Sequence, residues 1–424
     1  MEIRLCLFVL LFTAFRCCAA GPQPDTLRLT VSQGEEMFLR DNLPLLAARY
    51  NVDASKAVVQ QAKLWDNPVI STDQNIYDRT GFFKHNGVDG QIYVQVMQLV
   101  KTAGKRNKAI LLAEDNTNIS RAQFEDLLRT LRYSLVSDLI EINHQLDIKQ
   151  LYDTEISKLQ VLVSGMDEDL KIGNISVKDD IRVKALLFSL QNEVMNVEAQ
   201  LIPLESEVKL LLNKQDTSFI LPEMQYKLPH LFTISIPPES QILAVADTSR
   251  PDLKIMQYEM NYASHNLSYQ KALAKPDINI GTEYDQRSSY APDYVGLAIS
   301  FPLNIFNRNQ GNISSAQFNV KQQQVLYDAQ TFKVENDIAS ALAKVKFFQQ
   351  VNNSRQVDFE RNYENLFQNM LKSYQSRQVS LLEFIDFADA YKETRLKILD
   401  QQTSLIKAIA ELNYQAGKDL INLN

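Results

Sequence analysis

The segments ENDIASALAKVKFFQQ (residues 335–350) and SLLEFIDFADAYKETRLKIL (residues 380–399) belong to one stretch, Asn312 to Ala416, that runs 105 residues without a glycine or a proline. Those two residues are the strongest local punctuation in a sequence, so their absence over such a length argues for long continuous helix. Apolar side chains recur at helical spacing: Ile338, Leu342, Val345 and Phe348, then Phe359, Tyr363, Leu366 and Met370. They resume at Leu381, Ile385, Ala388 and Tyr391, and again at Leu405, Ile409 and Leu412. Steps of three and four residues mark an amphipathic helix. The polar interruption Ser376-Arg377-Gln378 reads as a turn between two helices. The first helix, from about 309 to about 374, would hold about 65 residues and extend roughly 95 Å. Ordinary globular helices are far shorter, so the stretch predicts a coiled coil or a helical barrel.

The chain of 424 residues carries 44 Lys and Arg against 51 Asp and Glu, a mildly negative balance spread along its length. The length allows two or three domains, and the composition is that of a folded protein. No basic block is present, which leaves nucleic-acid binding without an electrostatic footprint.

Residues 1–20 read as a secretory signal peptide. Arg4 lies in a short n-region, Leu5 to Phe15 is apolar, and Cys18-Ala19-Ala20 supplies small residues before cleavage at Gly21. The segment is too short for a transmembrane helix. All three cysteines, Cys6, Cys17 and Cys18, fall in it, so the mature chain has no thiol chemistry and no disulfide. A lipid anchor at Cys17 or Cys18 is the competing reading, disfavoured by Arg16 just ahead of them.

The mature chain is built twice. A first repeat, 21–213, contains a strand-like Leu27-Arg28-Leu29-Thr30, a helix from Val31 to Arg40, and a helix from Pro44 to Leu64. Strand-like runs follow at 69–77 and 91–99, then a long helical hairpin over 104–213 broken between Gly165 and Gly173. Residues 214–250, with Pro222, Pro229, Pro237 and Pro238, read as a linker. A second repeat, 251–424, returns to the same plan. Pro276 answers Pro68 at a spacing of 208, Ile175-Ser176 answers Val379-Ser380 at 204, strands recur at 277–284 and 294–301, and a hairpin at 309–416 precedes a C-terminal tail.

The second strand pair alternates. Ile278, Ile280, Thr282 and Tyr284 face one way and Asp277, Asn279, Gly281 and Glu283 the other. Strands of this length suit a transmembrane β-strand, with Tyr77, Tyr93, Tyr284 and Tyr294 near their ends. Alternation by itself fits two exposed hairpins on a soluble sheet equally well. Four strands cannot close a barrel, however, and an open edge cannot sit in lipid. Membrane insertion would therefore require strands shared between subunits.

On these features the chain resembles the TolC-like outer-membrane efflux family. The resemblance rests on the duplication, the helix-strand-strand-helix order, Pro302-Leu303-Asn304-Ile305-Phe306 with Asn309-Gln310-Gly311, and two turns. One turn is Gly173 to Asp179 and the other Tyr374 to Asp386. It implies a mainly α fold with a small β part: a homotrimer whose duplicated hairpins form an α-helical barrel in the periplasm. Four strands per chain would then complete a shared transmembrane β-barrel in outer-membrane lipid. It also implies a passive exit duct that meets a periplasmic adaptor protein and, through it, an inner-membrane transporter. Glu383 and Asp386 match the acidic ring that constricts the pore, although by spacing alone a solvated helix face is the favoured reading. Asp179 and Tyr374 match a lock between the turns. Gly173, Asn174, Ile175, Arg377, Gln378 and Val379 match the adaptor contact. Two departures stand out: Arg377 occupies a position where the family often has glycine, and Val379 one where some members carry a basic latch.

No enzymatic or cofactor motif appears. His85, His144, His230 and His265 are far apart and lack metal-ligand spacing, and Gly104-Lys105-Arg106 is not a phosphate loop. The alternative to a duct is a secreted periplasmic coiled-coil protein without a pore.

Overall fold

The structure is a computed structural model that describes residues 26–85, 90–216, 218–224, 228–352 and 354–423. The signal peptide, its cleavage site and both candidate lipidation cysteines lie outside the described residues. The chain divides into two compact units, one of Met1–Leu43, Arg129–Ile242 and Ile338–Asn424, the other of Pro44–Leu128 and Leu243–Asp337.

The second unit is built around a four-stranded antiparallel sheet. Its strands are β2 (Val69–Gln74), β5 (Ile92–Val100), β7 (Ile278–Arg287) and β8 (Pro292–Ser300), in the order β2-β5-β7-β8. The two repeats therefore meet at β5 and β7, where Val96 opposes Thr282 and Gln95 opposes Glu283. Strand period two sorts the faces. Ile70, Val96, Thr282 and Leu297 stand in register on one face, Ser71, Gln95, Glu283 and Gly296 on the other. Tyr93 Oη and Gln95 Nε2 both donate to Glu283, at 2.9 and 3.2 Å. The 69–77 run is shorter than expected: β2 stops at Gln74, and Tyr77–Asp78 pairs with Gly81–Phe82 as a small hairpin, β3 and β4.

The same unit holds most of α2 (Leu43–Ala62), all of α7 (Pro251–Leu273) and parts of α3 (Lys105–Lys171) and α8 (Gln310–Val351). Pro251 opens α7 at its first turn, where a missing N–H costs nothing.

The first unit carries the core. Leu135, Leu139 and Ile142 of α3, Val183 and Val208 of α4 (Val177–Leu211), Ile338 and Val345 of α8, and Leu405, Ile409 and Leu412 of α10 (Leu381–Ala416) are fully buried. Each such side chain is worth about 1.5–3 kcal/mol. Strand β1 (Thr26–Leu29) pairs in parallel with β6 (Phe219–Pro222) and precedes α1 (Val31–Asp41), which opens on a Thr30–Gln33 capping box. Thus 214–250 holds a strand as well as two short helices, α5 (Leu228–Thr233) and α6 (Glu239–Ser249). Asn413 fixes the C-terminal tail: its amide donates to Ile421 O at 2.7 Å and its carbonyl accepts from Leu420 N at 2.9 Å. Arg132 joins Glu35 to Asp419.

Two helix boundaries correct the sequence reading. The expected 65-residue helix is two: α8 ends at Val351 and α9 spans Ser354–Gln375. Buried Asn352 makes the break, its amide donating to Phe348 O at 2.8 Å and Gln401 O at 3.2 Å. Asn352 N–H keeps its bond to Phe348 O at 3.0 Å, so the helix ends where the side chain ties it to α10 (Leu381–Ala416), with neither glycine nor proline at the boundary. Conversely, Gly165 breaks nothing, and α3 continues to Lys171. One helical glycine costs only about 1 kcal/mol, less than the burial of Leu162 and Met166 beside it contributes. A methyl group at Gly165 would meet nothing within 4 Å. Gly165→Ala is expected to stabilise the unit by about 1 kcal/mol, read as a higher thermal midpoint; an unchanged or lower midpoint contradicts this account of α3.

Candidate functional site

The two turns are built alike, 204 residues apart. Helix α3 ends in a residue of left-handed conformation, Gly173 (φ 78°), and α9 ends in Arg377 (φ 58°). Gly173 N–H bonds Leu170 O and Asn174 N–H bonds Asp169 O; correspondingly, Arg377 N–H bonds Tyr374 O and Gln378 N–H bonds Ser373 O. Each is a Schellman cap. Three residues on, Ser176 and Ser380 cap the next helices, accepting from Asp179 N and Glu383 N at 3.2 and 3.3 Å. The cap is reciprocal at Ser380, where Glu383 Oε2 accepts from Ser380 N at 2.9 Å and Oγ at 2.8 Å.

This accounts for Glu383 and Asp179 locally. Both carboxylates sit at the third position of a helix, and Asp179 Oδ2 accepts from Ser176 Oγ at 2.8 Å. The Ser380 N–H and hydroxyl hold the Glu383 carboxyl below its ordinary range. Mutual crowding of the acids would push the other way, but within one chain the cap decides. Asp386, one turn further along α10, is exposed.

Tyr374 stacks on buried Phe384, with ring centroids 5.1 Å apart and planes at 14°. Its hydroxyl lies 3.8 Å from Met166 Sδ. Burial raises its pKa first, with the charges of Asp179 and Asp169 adding to the effect. The two expected lock residues are thus electrostatically coupled, yet among the described residues no hydrogen bond joins them. The turns are instead linked by Arg377, whose Nη2 donates to Asp169 Oδ2 at 3.3 Å. Gly173, Asn174, Arg377 and Gln378 are exposed, and Ile175 and Val379 half-buried at equivalent places.

Behind the turns lies a feature that pattern reading passed over. Tyr152, Leu159, Leu162 and Met166 form a buried stripe on α3, and Glu155 occupies one step of it, 5% exposed. A charged residue in an apolar slot is the signal that could have found it. Lys158, Glu364, Asp389 and Lys392 surround its carboxylate, while Leu159, Leu186, Leu190 and Phe367 line the adjoining small cavity. Glu155 Oε1 has no hydrogen-bond partner. Glu364 accepts from Tyr391 Oη, from Gln368 at 3.0 Å and from Lys158 at 3.5 Å. Burial pushes Glu155 up to about 7. His144 and His265 are paired elsewhere, with Asp400 and Asp115.

Long hairpins carried with a four-stranded antiparallel sheet define the TolC-like channel fold. The chain superposes on CusC, a protein that forms a transmembrane channel, with a TM-score of 0.74 at 17% identity, covering 95% of this chain and 96% of that one. For the open MtrE outer membrane channel of Neisseria gonorrhoeae the TM-score is 0.70 at 15% identity, over 92% and 89% of the two chains. The cobalt-zinc-cadmium resistance protein CzcC of Cupriavidus metallidurans is 21% identical over 303 residues, 70% of this chain and 67% of that protein. Residues 243–418 match the Outer membrane efflux protein family. The fold is that of the TolC-like channels, as the duplicated strand-and-hairpin plan implied, and the family match lies mainly in the second repeat.

Two outcomes follow from the turn geometry and the buried acid. An L-residue other than glycine in the left-handed region costs about 1–2 kcal/mol, and an exposed ion pair returns at most about 1 kcal/mol. Arg377→Gly is therefore expected to be more stable than Arg377→Ala by about 1 kcal/mol, seen as slower amide exchange at Gln378. Equal exchange in both variants rules out strain at this cap. At Glu155, the folded-state pKa lies above the ordinary value of 4.5. Its neutral form stabilises the fold below about pH 4.5, and that contribution is lost as pH rises through about 7. Glu155→Gln should gain roughly 2–3 kcal/mol at pH 8 and almost none at pH 4. Parallel melting curves for variant and parent across that range contradict the assignment.

Proposed function

We propose that the chain is the outer-membrane exit duct of a tripartite efflux or type I secretion system, working as a homotrimer. It is a passive channel: an inner-membrane transporter supplies the energy and a periplasmic adaptor joins the two. The observation that carries this reading is the sheet. It has an apolar face on which Ile70, Val295, Leu297 and Ile299 are exposed, and two unpaired edges, β2 and β8. Four strands cannot close, whereas three copies make twelve. Among the described residues no helix is long and apolar enough to cross a membrane; the membrane element of the proposal is the sheet, on the strength of its apolar face and open edges.

Apolar stripes on the helices favour the same assembly. On α4, Ile181, Phe188, Met195 and Ile202 recur every seven residues and are all exposed; on α8, Phe318, Val325 and Phe332 do the same. A sustained seven-residue apolar repeat seeks another helix, and further copies of the chain supply it.

The paired turns form the periplasmic tip in this proposal. Glu383 and Asp386 from three copies would line a constriction that attracts cations, and the Ser380 cap keeps Glu383 ionised there. Asp179 and Tyr374 act as a lock when the carboxylate turns from Ser176 to the phenol. Gly173, Asn174, Ile175, Arg377, Gln378 and Val379 meet the adaptor.

Native mass and planar-bilayer recording on protein extracted from outer membranes test the proposal together. The expected result is a trimer that conducts cations in preference to anions, with the preference weakened in Glu383→Ala/Asp386→Ala. A soluble periplasmic monomer overturns the duct and favours an elongated scaffold. A cation-selective trimer indifferent to the double substitution removes the ring alone.

A further inference from the structure

We infer that the helix-bearing end of the sheet is a binding belt for anionic phospholipid headgroups, with Trp65 and Phe306 as its apolar wedges. This rests on the proposed reading of the sheet as part of an outer-membrane barrel and goes beyond it by naming the lipid class.

Four segments converge on that end: the approach to β2 (residues 63–68), the exit from β5 (101–108), the approach to β7 (271–277) and the exit from β8 (301–310). They are tied together by contacts. Arg106 donates to Lys63 O, Thr102 N to Asp277 Oδ1 at 2.8 Å, Lys105 Nζ to Lys275 O at 2.7 Å, and Asn304 Nδ2 to Ala274 O at 2.8 Å. These segments contain eight Lys and Arg residues and two carboxylates, Asp66 and Asp277, in a chain whose net charge is −7. Both acids are already paired, Asp66 with Lys101 at 3.0 Å and Asp277 with Lys105 at 2.7 Å. Lys63 reaches Glu114 at 3.8 Å. Among the described residues no carboxylate pairs with Arg106, Lys108, Lys275 or Arg308.

Large apolar side chains stand among these cations. Trp65 is 67% exposed and Phe306 91% exposed, with Leu303 and Ile305 exposed beside it. The Arg106 guanidinium lies 4.5 Å from the centre of the Trp65 ring. A soluble surface gains nothing from apolar groups held in water, and a purely hydrocarbon environment excludes unpaired cations. Both are satisfied at the interface, where rings enter the acyl boundary and cations meet phosphate. The surplus of cations over acids selects a headgroup with net negative charge, such as phosphatidylglycerol, over a zwitterionic one. A solvated basic patch would need no wedges, and an apolar protein partner would leave the cations unmatched.

Trp65 is the chain's one tryptophan, so its fluorescence reports on this belt. The trimer is reconstituted in phosphatidylcholine vesicles containing phosphatidylglycerol, with bromine placed near the headgroup of one lipid or the other at equal bromine content. Quenching is expected to be about threefold or more stronger by brominated phosphatidylglycerol. That preference should vanish at high salt and in Lys108→Gln/Lys275→Gln/Arg308→Gln, which spares the Arg106 that stacks on the reporter. If the triple variant does not insert, the salt titration on the parent protein carries the same test. Equal quenching by the two lipids overturns the inference and leaves the barrel standing. Absence of quenching in vesicles that conduct ions also overturns it, again without touching the barrel. Absence of both quenching and conductance brings down the barrel reading with it.

Discussion

Everything in this chain turns on a sheet that cannot be finished by the chain that makes it. Strands β2 and β8 each have a neighbour on one side only. A row of unpaired N–H and C=O groups is tolerable in water and prohibitive in hydrocarbon. Because one face is also apolar, neither water nor lipid alone suits the isolated sheet, and more strands are the resolution. The duplication supplies half of the pairing internally, since β5 of the first repeat runs against β7 of the second. In the proposed assembly other copies pair with the remaining edges and cover the exposed apolar stripes on α4 and α8.

Duplication also shows where the two repeats differ. Gly173 and Arg377 hold equivalent left-handed positions, Leu170 and Tyr374 precede them equivalently, and Asp179 and Glu383 hold equivalent cap positions. The two turns therefore share a backbone plan and differ in side-chain chemistry. Placing Arg where Gly is easier costs backbone strain, and what is obtained is a bridge to Asp169 on the other hairpin. The second turn is the one that reaches across, and it reaches with a cation.

Much of this was legible beforehand because periodicity is a strong signal when it persists. The 204-residue echo of Ile175-Ser176 in Val379-Ser380 located both turns, and the alternation in 277–284 sorted the faces of β7. Legibility failed where the deciding interaction is remote in sequence. Asn352 ends α8 partly through Gln401 O, 49 residues away, so nothing local announces it. Gly165 misled for the reverse reason: tertiary burial on either side overrode a weak local preference. Strand β6 was missed because its four residues pair with β1 from almost two hundred positions away. At the turns, the family resemblance picked out Asp179 and Glu383, and it did not say that each bonds the serine three residues before it. Glu155 was visible as a breach of an apolar stripe, although its setting of Lys158, Lys392 and two further acids is tertiary.

That breach also explains how stability is graded along the first unit. One region is closed by apolar side chains, by the paired strands β1 and β6, and by a tail that Asn413 and Arg132 hold at several points. Toward the turns the packing includes Glu155, with one carboxylate oxygen unbonded, beside the Glu364–Tyr391 pair. A buried charge with incomplete hydrogen bonding contributes less than the apolar residues it replaces and often costs stability outright. Local opening is drawn from the least stable part of a fold. The turns and the hairpin ends behind them are accordingly the part of this unit that can rearrange while the rest stays closed. In the proposed duct, that distribution of stability would let one end widen while the rest holds together.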